Sequence, residues 1–437
     1  MPDAPRAGTF LRVPAIWLTP LILGGIVVAL MALIYSAAMK DPPASLRGLP
    51  VGVVNEDAGT QAPSGAVRYG DQLVQALTGS SAVSGPLALR ELDQDAADGA
   101  MDRGELYAAV VVPAGFSEGM LALASSEAAS SADAAVQVVT NPRLGSAGTG
   151  MATGVLGPAL AAASRSIGEE LAGVASPAIA QLPAVARALA DPVQVTDVEY
   201  RPLPGNSALG LSAFYLALLA SMSGFLGATL IQGVVDGALG YATSETGVKW
   251  RLRRPVPITR WQTLLAKYAL AVVLPPVLVA VVLLVAVGLV GLDAPGVGWL
   301  WAVMSLGAVT IAIGTISLLA MLGSLGQLLA LVLFVYLALS ASGATMPAEA
   351  LPQPFAAISG LDPLHRVFDA VRSIVYFDGR ATEGWPQAVP VLLAEIAFWV
   401  VLAAIVVVGY DRRGLARISP ELYERIVRAT SEDRAVR

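Results

Sequence analysis

The chain of 437 residues contains no cysteine and a single histidine, His365. The first absence excludes disulfides and thiolate ligation of metal or haem; the second excludes a multi-histidine metal centre within one chain. Charge is scarce as well. Asp, Glu, Lys and Arg make up 14% of residues against 55% hydrophobic, where a soluble domain carries roughly a quarter charged. With a mean hydropathy of +0.67, this excludes an ordinary soluble enzyme and points to an integral membrane protein. No G-x-x-x-x-G-K-[ST] loop, H-E-x-x-H or G-x-S-x-G pattern occurs, so no catalytic constellation is expected, no cofactor, and no nucleotide hydrolysis by this chain itself. The net charge of −6 gives no reason to expect a nucleic-acid partner.

What is present is a set of long apolar runs. A bilayer core needs about 20 apolar residues in helix, and six segments qualify, at about 15–39, 208–231, 263–290, 299–322, 327–342 and 388–410. The first exceeds the 7–15 residues of a signal-peptide core, which favours a membrane anchor over a cleaved leader ending near Ser36-Ala37-Ala38. Pro275-Pro276 inside the third predicts a kink. The fourth and fifth are separated only by Gly323-Ser324-Leu325-Gly326, a tight hairpin. Lys and Arg concentrate in residues 1–14, in the loop 233–262 and in the tail 411–437. The positive-inside rule therefore puts both termini in the cytoplasm, and the bias to Ala, Gly and Arg over Lys points to a bacterial plasma-membrane protein.

Residues 40–205, with 18 acids against 9 bases, form part of an acidic extracytoplasmic domain expected over 40–207. Leu49–Asn55, Tyr107–Val112 and Ala135–Val139 read as strands, separated by helical stretches and followed by long Ala-rich helices, hence a small α/β layer. Asp93, Asp95, Asp98 and Asp102 lack the glycine turn and terminal glutamate of a calcium loop, so a solvated helix face is expected. The segment 343–387 is broken by prolines, and Leu364–Phe377 within it reads as an amphipathic helix lying at the outer surface, with His365 at its start.

Two features carry functional weight. The loop sequence Glu245-Thr246-Gly247-Val248-Lys249-Trp250-Arg251-Leu252-Arg253-Arg254-Pro255-Val256-Pro257-Ile258-Thr259-Arg260-Trp261 suits a basic surface helix followed by a rigid turn. It would grip either a protein partner or the anionic headgroups of the lipid bilayer. Glu395 is the one carboxylate well inside an expected span, where ionisable groups are costly and mark transport paths or helix pairing. Lys267, near the start of its span, is expected to snorkel.

The order of motifs resembles the ABC-2 type permeases, in particular the phage-infection-protein (YhgE/Pip) type with a large external domain after the first span. The matching residues are Leu49 to Asp57; Gly104 to Ser117; Glu245, Gly247, Leu252, Pro255 or Pro257, Arg260 and Lys267; and Pro347, Leu351-Pro352, Leu361-Asp362-Pro363 and Val371-Arg372. The resemblance implies an α-helical polytopic fold of six transmembrane helices, of the type V exporter kind, with an α/β domain between helices 1 and 2. It also implies a partner ABC ATPase that binds ATP, and a second permease copy or paralogue. Glu245, Gly247, Trp250, Arg251, Leu252, Arg254, Pro257 and Arg260 would then form the coupling helix that docks on that ATPase. Export of an amphiphilic substrate follows as the expectation. A non-transporting surface receptor or secretion scaffold is the alternative.

Overall fold

A computed structural model describes residues 14–62, 65–124, 135–175, 183–246, 249–251, 253–415, 417–418, 421 and 423–428. Among the described residues six helices are long and apolar enough to cross a membrane. They are α1 (Pro14–Ala38), α7 (Ser212–Ala238), α8 (Arg260–Leu289), α9 (Val297–Leu322), α10 (Ser324–Ala341) and α13 (Trp385–Arg412). The helix expected to end at residue 231 continues to Ala238, because Gln232 and Asp236 find partners there. The double proline does not interrupt α8, which runs through Pro275 and Pro276 to a π-helical turn at Leu284–Leu289. Among the spans α9 is central and almost wholly buried, with α7, α8 and α13 packed around it. Close approach explains part of this. A Cβ on Gly224 of α7 would sit 2.3 Å from the carbonyl oxygen of Ala308 of α9. By contrast α1 is almost entirely exposed and leans on α10, where Tyr35 meets Tyr336 edge-on at 6.2 Å.

Between α1 and α7 the chain folds into an α/β domain. Its sheet has the order β4-β1-β5-β6-β7, formed by β1 (Leu49–Asn55), β4 (Leu87–Leu92), β5 (Ala108–Val112), β6 (Val136–Thr140) and β7 (Val195–Glu199). A small hairpin of β2 (Thr60–Ala62) and β3 (Gly65–Val67) stands apart. Strands β4, β1 and β5 are parallel, β6 is antiparallel to β5, and β7 is parallel to β6. Two crossovers build the parallel part: α2 (Tyr69–Gly79) links β1 to β4 and α3 (Gln94–Asp102) links β4 to β5. Asp93 caps α3, Asp98 accepts a bond from Gln94, and Asp102 pairs with Arg201 at 2.9 Å. Helix α4 (Phe116–Leu123) follows β5. Helices α5 (Ser146–Val174) and α6 (Pro183–Ala190) complete the layer.

The carboxyl ends of β1 and β5 mark the point where the strand order reverses, the place where open α/β sheets bind ligands. Here the chain fills that place itself. The Asp57 carboxylate accepts bonds from the backbone N–H of Ser117 (2.9 Å) and Gly70 (3.0 Å), the second residues of α4 and α2, and from the Ser117 hydroxyl. A buried carboxylate at two helix N-termini satisfies their orphan donors and complements both dipoles.

The segment before α13 holds a correction. Past the short α11 (Gln353–Ser359), helix α12 (Pro363–Phe377) forms at the expected place, but it does not lie on a surface: nearly every residue is buried among α7, α9 and α13. Its charged residues are paired internally, while the buried Ser373 hydroxyl has no hydrogen-bond partner among the described residues. Asp362 caps the first turn through the N–H groups of Leu364 and His365, and Asp369 pairs with His365 (3.2 Å) and Arg372 (2.9 Å). The His365 Nδ1 faces the carbonyl of Ser342 at 2.8 Å.

Candidate functional site

The end of the bundle remote from the α/β domain gathers the polar chemistry of three helices and the tail. At the last turns of α7, Gln232 Nε2 donates to Asp236 at 2.8 Å. Lys267 of α8 lies opposite, its ammonium donating to Asp236 and to Gln232 Oε1, both at 2.7 Å. Arg417 of the tail closes the group with two bonds to the same carboxylate, at 3.0 and 3.3 Å. The expected snorkelling of Lys267 is thereby corrected: the residue is 4% exposed. A charge stays in such a place only when paired and hydrogen-bonded, and Asp236 supplies both.

The connecting loop is anchored at each end. Gly240, at φ +75°, lets the chain turn so tightly that a Cβ there would lie 2.6 Å from the Arg253 carbonyl oxygen. The Val256 N–H donates to Leu239 and the Tyr241 hydroxyl to the Val256 carbonyl. At the other end Thr259 and Gln262 form a capping box on α8, and Asp411 of α13 accepts from the N–H groups of Arg260 (3.3 Å) and Trp261 (3.2 Å). Arg260 donates to the Leu415 carbonyl and stacks on Tyr410, while Arg417 stacks on Tyr241 at 4.4 Å. Displacing the loop therefore loads α7, α8 and α13 at once.

The expected coupling helix is a second correction. Ser244–Thr246 (β8) and Lys249–Arg251 (β9) form an antiparallel pair in which Glu245 stands opposite Trp250. The physical reason lies in strand-forming residues on both sides of the pair, β-branched Thr246 on one and aromatic Trp250 on the other. Gly247 and Leu252 lie outside the described residues. Arg254 and Pro257 are exposed on an extended segment, and Arg260 opens α8. Glu395 belongs elsewhere. It sits within α13 with Asp362 and Arg366 as its charge neighbours, and its Oε1 has no hydrogen-bond partner among the described residues. Sequence patterning points to none of Gln232, Asp236, Asp411 or Arg417. One signal was available for the first pair: an acid just past one apolar run and a base just inside the next are placed to meet across a hairpin.

At the opposite end the α/β domain is fixed to the bundle. The Tyr376 carbonyl of α12 accepts from Arg143 at 2.8 Å, and its hydroxyl bonds Ser212 of α7 at 2.7 Å. Thr382, just before α13, donates its N–H to the Arg103 carbonyl and its hydroxyl to Glu105. The Arg103 and Thr382 bonds hold the Glu105 carboxyl below its ordinary value. One hydrophobic cluster runs from Leu49 and Tyr107 through Leu144 to Val367 and Met304, so domain and bundle share a core.

A family model described as ABC-2 family transporter protein matches residues 15–407. The crystal structure of a domain of a protein described as an ABC type-2 transporter from Thermotoga maritima MSB8 matches at 21% identity and a TM-score of 0.24, covering 35% of this chain and 85% of that one. No match was found among curated proteins.

Proposed function

The chain belongs to the ABC-2 family of transporters, and from that premise we propose that it is the multi-pass permease subunit of an exporter of the phage-infection-protein (YhgE/Pip) type, driven by a separate ABC ATPase. In this reading the loop end of the bundle is cytoplasmic and the α/β domain faces outside. A second permease, identical or paralogous, completes the path. The observation that carries it is the exposed segment Arg253–Arg254 and Pro257, held at one end by Leu239 and Tyr241 of the α7 exit and at the other by the α8 cap and Asp411. A partner that closes on nucleotide binding would push this segment and tilt three spans together. Burial of α12 beneath the domain then passes that tilt to the outer side. The apolar, largely exposed α1 and α8 suit an amphiphilic or lipid-like substrate.

The test is capture from native membranes of a tagged wild-type chain and of a Glu245→Arg, Arg254→Glu double variant. An ABC ATPase recovered with the wild type and lost with the variant supports the permease reading. Recovery with neither, in a mild detergent, moves the receptor or scaffold reading ahead.

A further inference from the structure

A cavity of about 480 Å³ opens at the loop end of the bundle, beside the turn from α9 to α10. Its lining combines Arg260, Lys267, Arg417 and Asp236 with the apolar Leu319 and Met321. Three cations thus face one carboxylate, and the pairing of Asp236 with both Lys267 and Arg417 neutralises only one positive charge. The donors are not all spent. The Lys267 ammonium places two of its three N–H groups on Asp236 and Gln232, leaving one without a partner among the described residues. Among the described residues the Arg260 guanidinium donates only through Nε, to Leu415. The rim carries exposed Ser324 and Gln327, and the adjoining turn presents Leu322 and Leu325 outward, 48% and 58% exposed.

Excess positive charge beside an apolar wall, at the level where the apolar helices end, is the chemistry that holds a phosphate attached to acyl chains. We infer that this cavity binds the phosphate headgroup of an anionic phospholipid from the adjoining leaflet. The apolar wall favours a lipid over a bare anion. The site does not depend on the ATPase, since all of its lining belongs to this chain, and a failed ATPase capture leaves it standing.

Native mass spectrometry of the full chain in mild detergent tests it, with dioctanoyl phosphatidylglycerol, dioctanoyl phosphatidylcholine and inorganic phosphate as probes. The glycerol lipid is expected to be retained at a concentration at least ~10-fold lower than the choline lipid. Gln327 is exposed, so its variants fold: Gln327→Glu weakens retention of the anionic lipid several-fold, Gln327→Lys strengthens it, and neither changes the choline lipid. Equal retention of the two lipids, or indifference to the charge at position 327, overturns the inference. Displacement of the lipid by millimolar inorganic phosphate overturns the lipid as the ligand and makes the cavity a site for free anions.

Discussion

Replacing Asp57 by alanine is expected to loosen the α/β domain far more than loss of one surface acid. The carboxylate is 8% exposed and takes bonds from the N–H groups of Ser117 and Gly70, from the Ser117 hydroxyl and, more weakly, from Gly59 at 3.3 Å. Hydrogen bonds to a charged group contribute about 1.5–3 kcal/mol each. Losing the two short backbone bonds therefore costs about 3–6 kcal/mol, and water entering the vacated space brings the expectation to roughly 3 kcal/mol. At 1.4 kcal/mol per decade this is on the order of 100-fold in the opening equilibrium. Hydrogen exchange of the full chain, followed by mass spectrometry, reads it directly: the slowest amides of β1 and β5 exchange ~100-fold faster in Asp57→Ala. Asp71→Ala, which removes a half-exposed acid bonded to Asn55 and Arg68, serves as control and changes those amides less than ~3-fold. A similar small change in Asp57→Ala would refute the reasoning, and with it the assignment of Asp57 as the internal anion at the switch point of the sheet.

Other outcomes follow from the same geometry. Asp236→Leu strands a buried ammonium and costs about 3–5 kcal/mol, whereas Asp236→Leu with Lys267→Met recovers most of it; thermal unfolding of the detergent-solubilised chain should rank them so, and equal loss in both contradicts the pairing. Gly224→Ala forces α7 away from the Ala308 carbonyl and lowers stability by about 1–3 kcal/mol, read as a lower midpoint in the same melt. Lowering pH should weaken the docking of the α/β domain on the bundle through Glu105. Its carboxyl is held below its ordinary value of 4.5 by Arg103 and Thr382, so this contribution is complete above that pH and is lost as pH falls through the lowered folded value. Proteolysis near Thr382 should accelerate over that range in the wild type and show no such dependence in Glu105→Gln.

The spans were legible because a run of apolar residues long enough to cross a bilayer leaves few other folds. Strands β1 and β5 were legible for a related reason: buried on both faces, they read as continuous apolar runs, whereas β6 showed itself through Val136, Val138 and Val139 around an exposed Gln137. Strand β4 was not, since Arg90 and Glu91 interrupt it, and neither was β7, an edge strand exposed along its whole length. Helix α12 showed its period but not its depth. Asp369 pairs with His365 and Arg372 within the helix and His365 faces the Ser342 carbonyl, which lowers the usual cost of burial. The polar group at the loop end was hidden by distance along the chain, because Asp236 meets Lys267 31 residues later and Arg417 181 residues later. The first pairing left one trace, an acid just past one apolar run and a base just inside the next; the second is decided by tertiary packing, and no local pattern carries it. For the loop the strand formers Thr246 and Trp250 were visible, but its basic residues suggested a helix face instead.

Contact between the loop and an ATPase is tested most directly by a photo-cross-linking residue placed at position 254 in native membranes, with position 209 at the opposite end of the bundle as control. Irradiation is expected to give an adduct containing an ABC ATPase from position 254 and none from 209, with a yield that changes when nucleotide is added. An adduct with no ATPase from position 254, or equal ATPase labelling from both positions, would contradict the assignment of this loop as the coupling surface.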